Sequence, residues 1–231
     1  MNHRCRRMRI WLLSLLTIII FQTSFPAEQP ALIDDPEESF TVSPVPDEIR
    51  EKITGYSFKD YSPVPMEDLR YLRLLHKDID GETHEGEMIC HVSIAEDLKE
   101  IFRELYEADY PIEKIRLVEE YDADDETSME DNNTSCFNVR LISTSGNYSW
   151  HAYGLAVDIN TLYNPYILQT GSGTVLEPVT AWDYTDRAQN FPYKIEEGDL
   201  CWSLFKEHGF TWGGDWNNPR DYQHFEMPVL P

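Results

Sequence analysis

Two short segments constrain this chain more than any other feature. The first is His151-Ala152-Tyr153-Gly154-Leu155-Ala156-Val157-Asp158, introduced by Ser149-Trp150. The second, far downstream, is Asp221-Tyr222-Gln223-His224. Two His and one Asp can supply the three protein ligands of a catalytic zinc that keeps its fourth position open. A fold that uses them must bring a turn-and-strand unit near residue 155 against a strand near residue 224.

Local patterning supports that arrangement. In a strand over Gly154–Ile159 side chains alternate between faces. Leu155, Val157 and Ile159 would enter a core, while Ala156 and Asp158 face the other way. The small Ala156 leaves space beside the carboxylate, and the Tyr153-Gly154 turn brings His151 back towards Asp158. In a last strand over Tyr222–Met227, Tyr222, His224 and Glu226 share a face. Asp221 sits at the strand entry, placed to act as a base without being a ligand. A developing oxyanion needs a further positive partner, and Arg140, in an expected strand over Phe137–Ile142, is the candidate. Taken singly, each residue has an ordinary reading: a satisfied His, a turn-forming Asp, an ion-paired Arg, packing for Trp212 and Trp216. Their ordered combination points to chemistry.

The rest of the chain reads as one α+β domain with tails. A strand over Tyr71–Ile79, a turn at Asp80-Gly81 and a strand over Met88–Val92 suggest a hairpin. Ser93 and Glu96 have capping-box spacing ahead of a helix with an apolar stripe of Leu98, Ile101, Phe102 and Leu105. A strand is expected over Ile115–Glu119, and an acidic, solvated or substrate-bordering loop over Asp122–Asn133. That loop lacks the glycine of a calcium loop, since Thr127 stands at the sixth position. Leu200, Leu204 and Phe205 mark a later helix with Gly209 as its stop. A Trp- and Gly-rich loop follows over Thr211–Asn218. Asn164-Pro165-Tyr166 and Gly213-Gly214 are expected to line the cleft.

The N-terminus reads as an export signal. Arg4, Arg6, Arg7 and Arg9 precede an apolar run from Ile10 to Phe21, short for a membrane span. Cleavage after Ala27 is the expectation. Phe25 stands where a small residue is preferred, so an uncleaved membrane anchor is the alternative. Residues 28–50, with Pro30, Pro36, Pro44 and Pro46 among acids, read as a linker, leaving residues 51–231 as the domain. Removing residues 1–27 takes away four Arg and no acid, so 15 basic and 42 acidic residues remain, a net charge of −27. Such a chain is a poor nucleic-acid binder. Cys90, Cys136 and Cys201 form neither a disulfide framework nor a Cys-based zinc site, though one bridge is possible in an exported protein.

The pattern Ser149-x-His151-x-x-Gly154-x-Ala156-x-Asp158, followed by Asp221-x-x-His224, resembles the zinc-dependent D-alanyl-D-alanine carboxypeptidase family. That family includes the vancomycin-resistance carboxypeptidases and the phage L-alanyl-D-glutamate peptidases. The similarity runs from about Ser128 to Met227, with weaker support from Ile53. It implies zinc ligands His151, Asp158 and His224, a catalytic carboxylate at Asp221, a supporting hydroxyl at Ser149 and, by analogy, a catalytic Arg140. It implies a small antiparallel sheet with flanking helices, related to the hedgehog signalling domain. The implied substrates are peptidoglycan stem peptides outside the membrane, cut by a monomeric enzyme. Several members carry Glu in place of Asp221. The Asp form resembles the L-alanyl-D-glutamate branch, so carboxypeptidase and endopeptidase both stay open. A zinc-containing wall-binding module without catalysis is a further alternative.

Overall fold

The computed structural model describes residues 39–142 and 146–227. The expected signal segment and residues 28–38 lie outside them. No helix among the described residues is long and apolar enough to cross a membrane.

Ordered structure begins earlier than composition suggests. Strand β1 (Thr41–Pro44) pairs antiparallel with β2 (Leu69–Lys77), and helix α1 spans Asp47–Ile53. Phe40, Val45, Ile49 and Ile53 are buried. Residues 40–50 are therefore part of the folded unit, not linker: four apolar anchors outweigh the local Pro and acid content.

The main hairpin is where its strand-like content and turn put it, with the first strand shifted two residues back and the second longer. Here β2 pairs with β3 (Thr83–His91) from Leu69↔His91 to Lys77↔Thr83. Helix α2 (Ala95–Glu107) buries Leu98, Ile101, Phe102 and Leu105 in the same core cluster as Leu72, Leu74 and Met88. The capping box does not form. The Ser93 hydroxyl bonds His91 Nδ1 at 2.7 Å, and Ile94 occupies the cap position without a side-chain cap.

Two expectations in the middle of the chain fail for local reasons. The strand over 115–119 shortens to β4 (Lys114–Ile115), followed by a 3-10 turn over Val118–Tyr121. The acidic loop holds helix α3 (Asp125–Glu130), whose first turn is capped by Asp124 accepting from Thr127 N at 2.9 Å. Strand β5 (Asn133–Thr134) then runs parallel to β4. The Asn133 side chain brackets Arg116, accepting from its N–H and donating to its carbonyl. Residues 137–142 are extended but carry no ladder beyond a single bridge, Leu141↔Tyr148.

The remaining strands build the site. Strand β6 (Ala156–Asp158) pairs with β11 (His224–Glu226), which pairs on its other edge with β9 (Thr211–Trp212). A hairpin with no expectation from sequence, β7 (Tyr166–Thr170) and β8 (Gly173–Glu177), joins β10 (Arg220–Asp221) in a second small sheet. Helix α4 (Leu200–Glu207), capped by Asp199 and stopped at Gly209 with φ +90°, packs Phe205 on Phe225 at 4.3 Å. Small, mainly antiparallel sheets with few helices make a mixed α+β architecture. Cys90, Cys136 and Cys201 are buried and unbridged.

Candidate active site

The first segment folds as a capped turn feeding a strand. A 3-10 turn over Trp150–Tyr153 carries His151, and the Ser149 hydroxyl accepts from His151 N at 3.4 Å. The turn ends at Gly154, where φ is +67°. A side chain there would be strained by that conformation. Its Cβ would also lie 2.7 Å from the His91 backbone nitrogen. Gly154 O accepts from His91 N at 2.9 Å, so the turn is bonded to β3.

Strand pairing does the rest. His224 on β11 stands directly opposite Asp158 on β6, which puts both side chains on one face. His224 Nδ1 lies 2.9 Å from Asp158 Oδ1, and His151 Nε2 lies 3.0 Å from Asp158 Oδ2. The two ring nitrogens are 3.2 Å apart. His151, Asp158 and His224 are only 3%, 5% and 6% exposed.

The outer hydrogen bonds fix the tautomers. His151 Nδ1 is 2.6 Å from the Cys136 carbonyl, which can only accept, so Nδ1 carries the proton and donates. His224 Nε2 lies 3.1 Å from Glu226 Oε2 and donates to it. Each ring thus turns its inner nitrogen towards Asp158. Once deprotonated, the two inner nitrogens and the carboxylate can converge on one buried cation. A tetrahedral ion with bonds of about 2.0–2.1 Å holds its ligand atoms roughly 3.3 Å apart. The observed separations of 2.9–3.2 Å sit close to that. The donor set fits a small divalent cation, and the outer partners have the form expected around a metal-ligating His.

Without a cation the charges lean on one another. Burial opposes the Asp158 carboxylate, but the charge of His151 and hydrogen bonds from both His hold its pKa well below the usual range. Burial likewise opposes protonation of His224. Hydrogen bonds to Asp158 and Glu226 outweigh that and raise its pKa to about 10.

Asp221 stands beside this cluster and outside it. It enters the cleft from β10, and its Oδ1 is buried with no hydrogen-bond partner among the described residues. Burial pushes its carboxyl up to about 7, with His224 and Arg140 opposing and Asp158 reinforcing. Gly213 makes that position accessible: a Cβ there would lie 2.6 Å from Asp221 O.

Asp221 and His224 line a cleft of about 290 Å3 together with Arg140, Ser149, Tyr166 and Trp216. Arg140 reaches it from an extended segment, not from the expected strand, with Nε 3.0 Å from Asp125 Oδ2. Burial disfavours its charge, but Asp125, Asp158, Glu177 and Asp221 together hold the guanidinium protonated. Tyr166 lines the cleft as expected. Asn164 does not; it is fully buried and braces the chain, donating to Asn160 O and Tyr193 O while accepting from Ile195 N. Gly213 and Gly214 pack behind the cleft, against Asp221 and the Trp212 ring. Met129, from the segment expected to be solvated or to border substrate, also lines it, as does Glu177, which was not foreseen because nothing local to it marks it.

This geometry coincides with the region of known relatives. Residues 143–227 match the family described as D-alanyl-D-alanine carboxypeptidase. That match supports the resemblance read from the motifs, and peptidases of this family are generally zinc-dependent. The chain is also similar to the peptidoglycan L-alanyl-D-glutamate endopeptidase CwlK of Bacillus subtilis (strain 168), 36% identical over 87 residues. That alignment covers 36% of this chain and 41% of the relative, so the chain spans about two fifths of the relative's length. No solved structure matches the chain.

Proposed function

We propose that this protein is a zinc-dependent peptidase that hydrolyses peptidoglycan stem peptides, of the D-alanyl-D-alanine carboxypeptidase type. One observation carries the reading: His151 Nε2, Asp158 and His224 Nδ1 converge on one point, beside a cleft lined by His224 and by Asp221, whose Oδ1 has no hydrogen-bond partner among the described residues. On this reading His151 Nε2, Asp158 and His224 Nδ1 hold the ion. Bound there, zinc supplies Lewis acidity, polarising a carbonyl and acidifying water.

The chain's own groups then handle protons and charge. Asp221 accepts a proton from the attacking water as its oxygen bonds to the carbonyl carbon. It passes that proton to the amine nitrogen as the C–N bond breaks. Arg140, charged and in the same cleft, stabilises negative charge developing on the carbonyl oxygen. Ser149 and the Cys136 carbonyl keep the His151 ring aligned. Export through the N-terminal segment, cleaved or retained as an anchor, would bring the site to its substrate. We read the fold, in the same vein, as that of the hedgehog and DD-peptidase group.

A second reading keeps the same machinery and moves the bond. The Asp221-x-x-His224 form and the similarity to CwlK favour an L-alanyl-D-glutamate-type endopeptidase. Mass spectrometry of defined muropeptides after digestion by the zinc-loaded protein separates the two: release of D-alanine against cleavage within the stem. No cleavage of any muropeptide at one equivalent of zinc overturns both. Asp221→Ala should lower kcat by about 10^2–10^4-fold while zinc content stays near one equivalent. Full activity in that variant would remove Asp221 from the mechanism. Inactivity of the wild-type protein at full zinc loading would leave a zinc-containing wall-binding module as the reading.

A further inference from the structure

Glu177 is the carboxylate of the cleft that the mechanism above does not use. It ends β8, and strand register fixes where it lies. Asp221 stands opposite Tyr166, and Tyr166 stands opposite Glu177. The three side chains therefore form one row across the sheet β10-β7-β8, on the face that lines the cleft. With strands about 4.8 Å apart, the Glu177 backbone lies roughly 10 Å from that of Asp221.

No hydrogen bond or ion pair reaches the Glu177 carboxylate from any described residue. The nearest cation in the cleft, Arg140, is engaged with Asp125 at 3.0 Å. Burial pushes the Glu177 carboxyl up, against the opposing charge of Arg140. Of the three carboxylates that line the cleft, Glu226 is paired with His224 at 3.1 Å and Asp221 stands beside the His224 and Arg140 charges, whereas Glu177 has no ion pair among the described residues. A half-buried carboxylate without a partner is costly, and a ligand that brings a cation relieves that cost.

We propose that Glu177 forms a specificity subsite for an ammonium group of the substrate, carried one or two residues from the scissile bond. This rests on the peptidase reading and names the substrate class within it: a peptide with a free primary amine near the cut. The distance sets the position. An extended peptide advances about 3.3 Å per residue, so a side-chain or terminal amine of a residue near the bond spans the gap. The ammonium donates to the Glu177 carboxylate while the carbonyl faces Arg140 and Asp221. Glu177 binds and makes no covalent contribution.

Three peptides that share one scissile bond test this with the zinc-loaded full chain. One has only its side-chain amine free, one only its α-amine, and one has both acetylated. One ammonium-bearing peptide should be cut with kcat/KM about 10- to 100-fold above the doubly acetylated one, the range for a hydrogen bond to a charged group. Which one it is identifies the source of the amine. Glu177→Gln should bring the rates of the ammonium-bearing and doubly acetylated peptides together, and Glu177→Asp should retain part of the preference. An indifferent wild type, a preference that survives Glu177→Gln, or an equal slowing of all three peptides overturns the subsite. Equilibrium binding of the same peptides to zinc-loaded Asp221→Ala protein separates this from the parent reading. If no bond is ever cut, the peptidase reading falls, while binding that favours an ammonium peptide and is lost with Glu177→Gln upholds the subsite. Equal binding of all three overturns it.

Discussion

Among the described residues, groups of three histidine and carboxylate side chains come together twice, and only one of the two clusters has the geometry of a metal centre. His151, Asp158 and His224 form the first; Asp78, Glu82 and His84 form the second, in the turn of the β2–β3 hairpin. Both have ligand atoms close enough to share an ion. In the first, each imidazole is held from outside by an acceptor, so its inner nitrogen faces Asp158 and is placed to ligate an ion. In the second, the groups satisfy one another. Asp78 Oδ1 accepts from Asp80 N and Glu82 N at 3.0 Å, and Asp78 Oδ2 meets His84 Nε2 at 2.7 Å. Glu82 is exposed. The second cluster is accounted for as a turn braced by its own aspartate. Residue type and proximity are shared; what separates the clusters is whether burial and outer hydrogen bonds turn the inner atoms towards one point.

The largest expected effect breaks the first cluster and spares the second. Asp158→Asn should reduce zinc affinity by more than the roughly 100-fold that loss of an outer partner costs, and hydrolysis should vanish with it. Competition with a chromophoric chelator measures this. Retention of tight, single-equivalent zinc binding would show that the convergence at Asp158 is not the metal centre.

Next in size is a pH effect at the buried imidazole stacked on His84. His76 is 4% exposed, its ring 5.3 Å from that of His84, and Nδ1 donates to Ile112 O at 2.7 Å. Burial depresses its pKa from 6.5 to about 4, only partly offset by the bond to Ile112. The unfolded chain takes up this proton below pH 6.5 and the folded chain does not until pH 4. Stability is therefore whole above pH 6.5 and falls as pH drops through that window, by up to about 3 kcal/mol. His76→Gln keeps a donor for Ile112 and should flatten that part of the curve in urea unfolding at stepped pH. Parallel curves for the two proteins would refute the assignment.

Smaller still is loss of an outer partner. Glu226→Gln should weaken zinc binding by about 10- to 100-fold, because the ring of His224 loses a charged acceptor and some basicity. An unchanged affinity would make Glu226 a bystander. The smallest effect sharpens the comparison from the other side: His84→Ala should leave both zinc equivalence and peptidase activity as in the wild type. A second equivalent of zinc lost in that variant would mean that the hairpin cluster is also a metal site.

Much of this was legible where the signal is local. Turn chemistry at Asp80-Gly81 and apolar spacing along α2 place the hairpin and helix. The alternation of residues 154–159 and 222–227 gives the two strands that meet at the site, and their pairing makes Asp158 face His224. The failures have two causes: tertiary partners overrode local composition, and a local cap changed what an acidic stretch forms. Phe40, Val45 and Ile49 are anchors scattered among Pro and acids, so no periodicity announces them. Asp124 turns an acidic stretch into a capped helix. Glu177 enters the cleft through the register of β7, β8 and β10, which no spacing along the chain encodes. The ligands could be read because a short motif holds them; the specificity wall could not, because strand pairing assembles it.

The bond between Gly154 and β3 bears on how small a working fragment can be. The segment shared with the peptidase family begins at residue 143, yet the His151 ring takes its orientation from the carbonyl of Cys136, and its turn leans on the backbone of His91. Arg140, too, lies ahead of that segment. Residues 143–227 alone would carry all three ligands and the base but lack the surface that aligns them. Truncation from the N-terminal side should therefore fail in steps, first when the hairpin goes and then when Cys136 goes. The ligand-bearing motif is the smaller half of the machine, and the hairpin is its chassis.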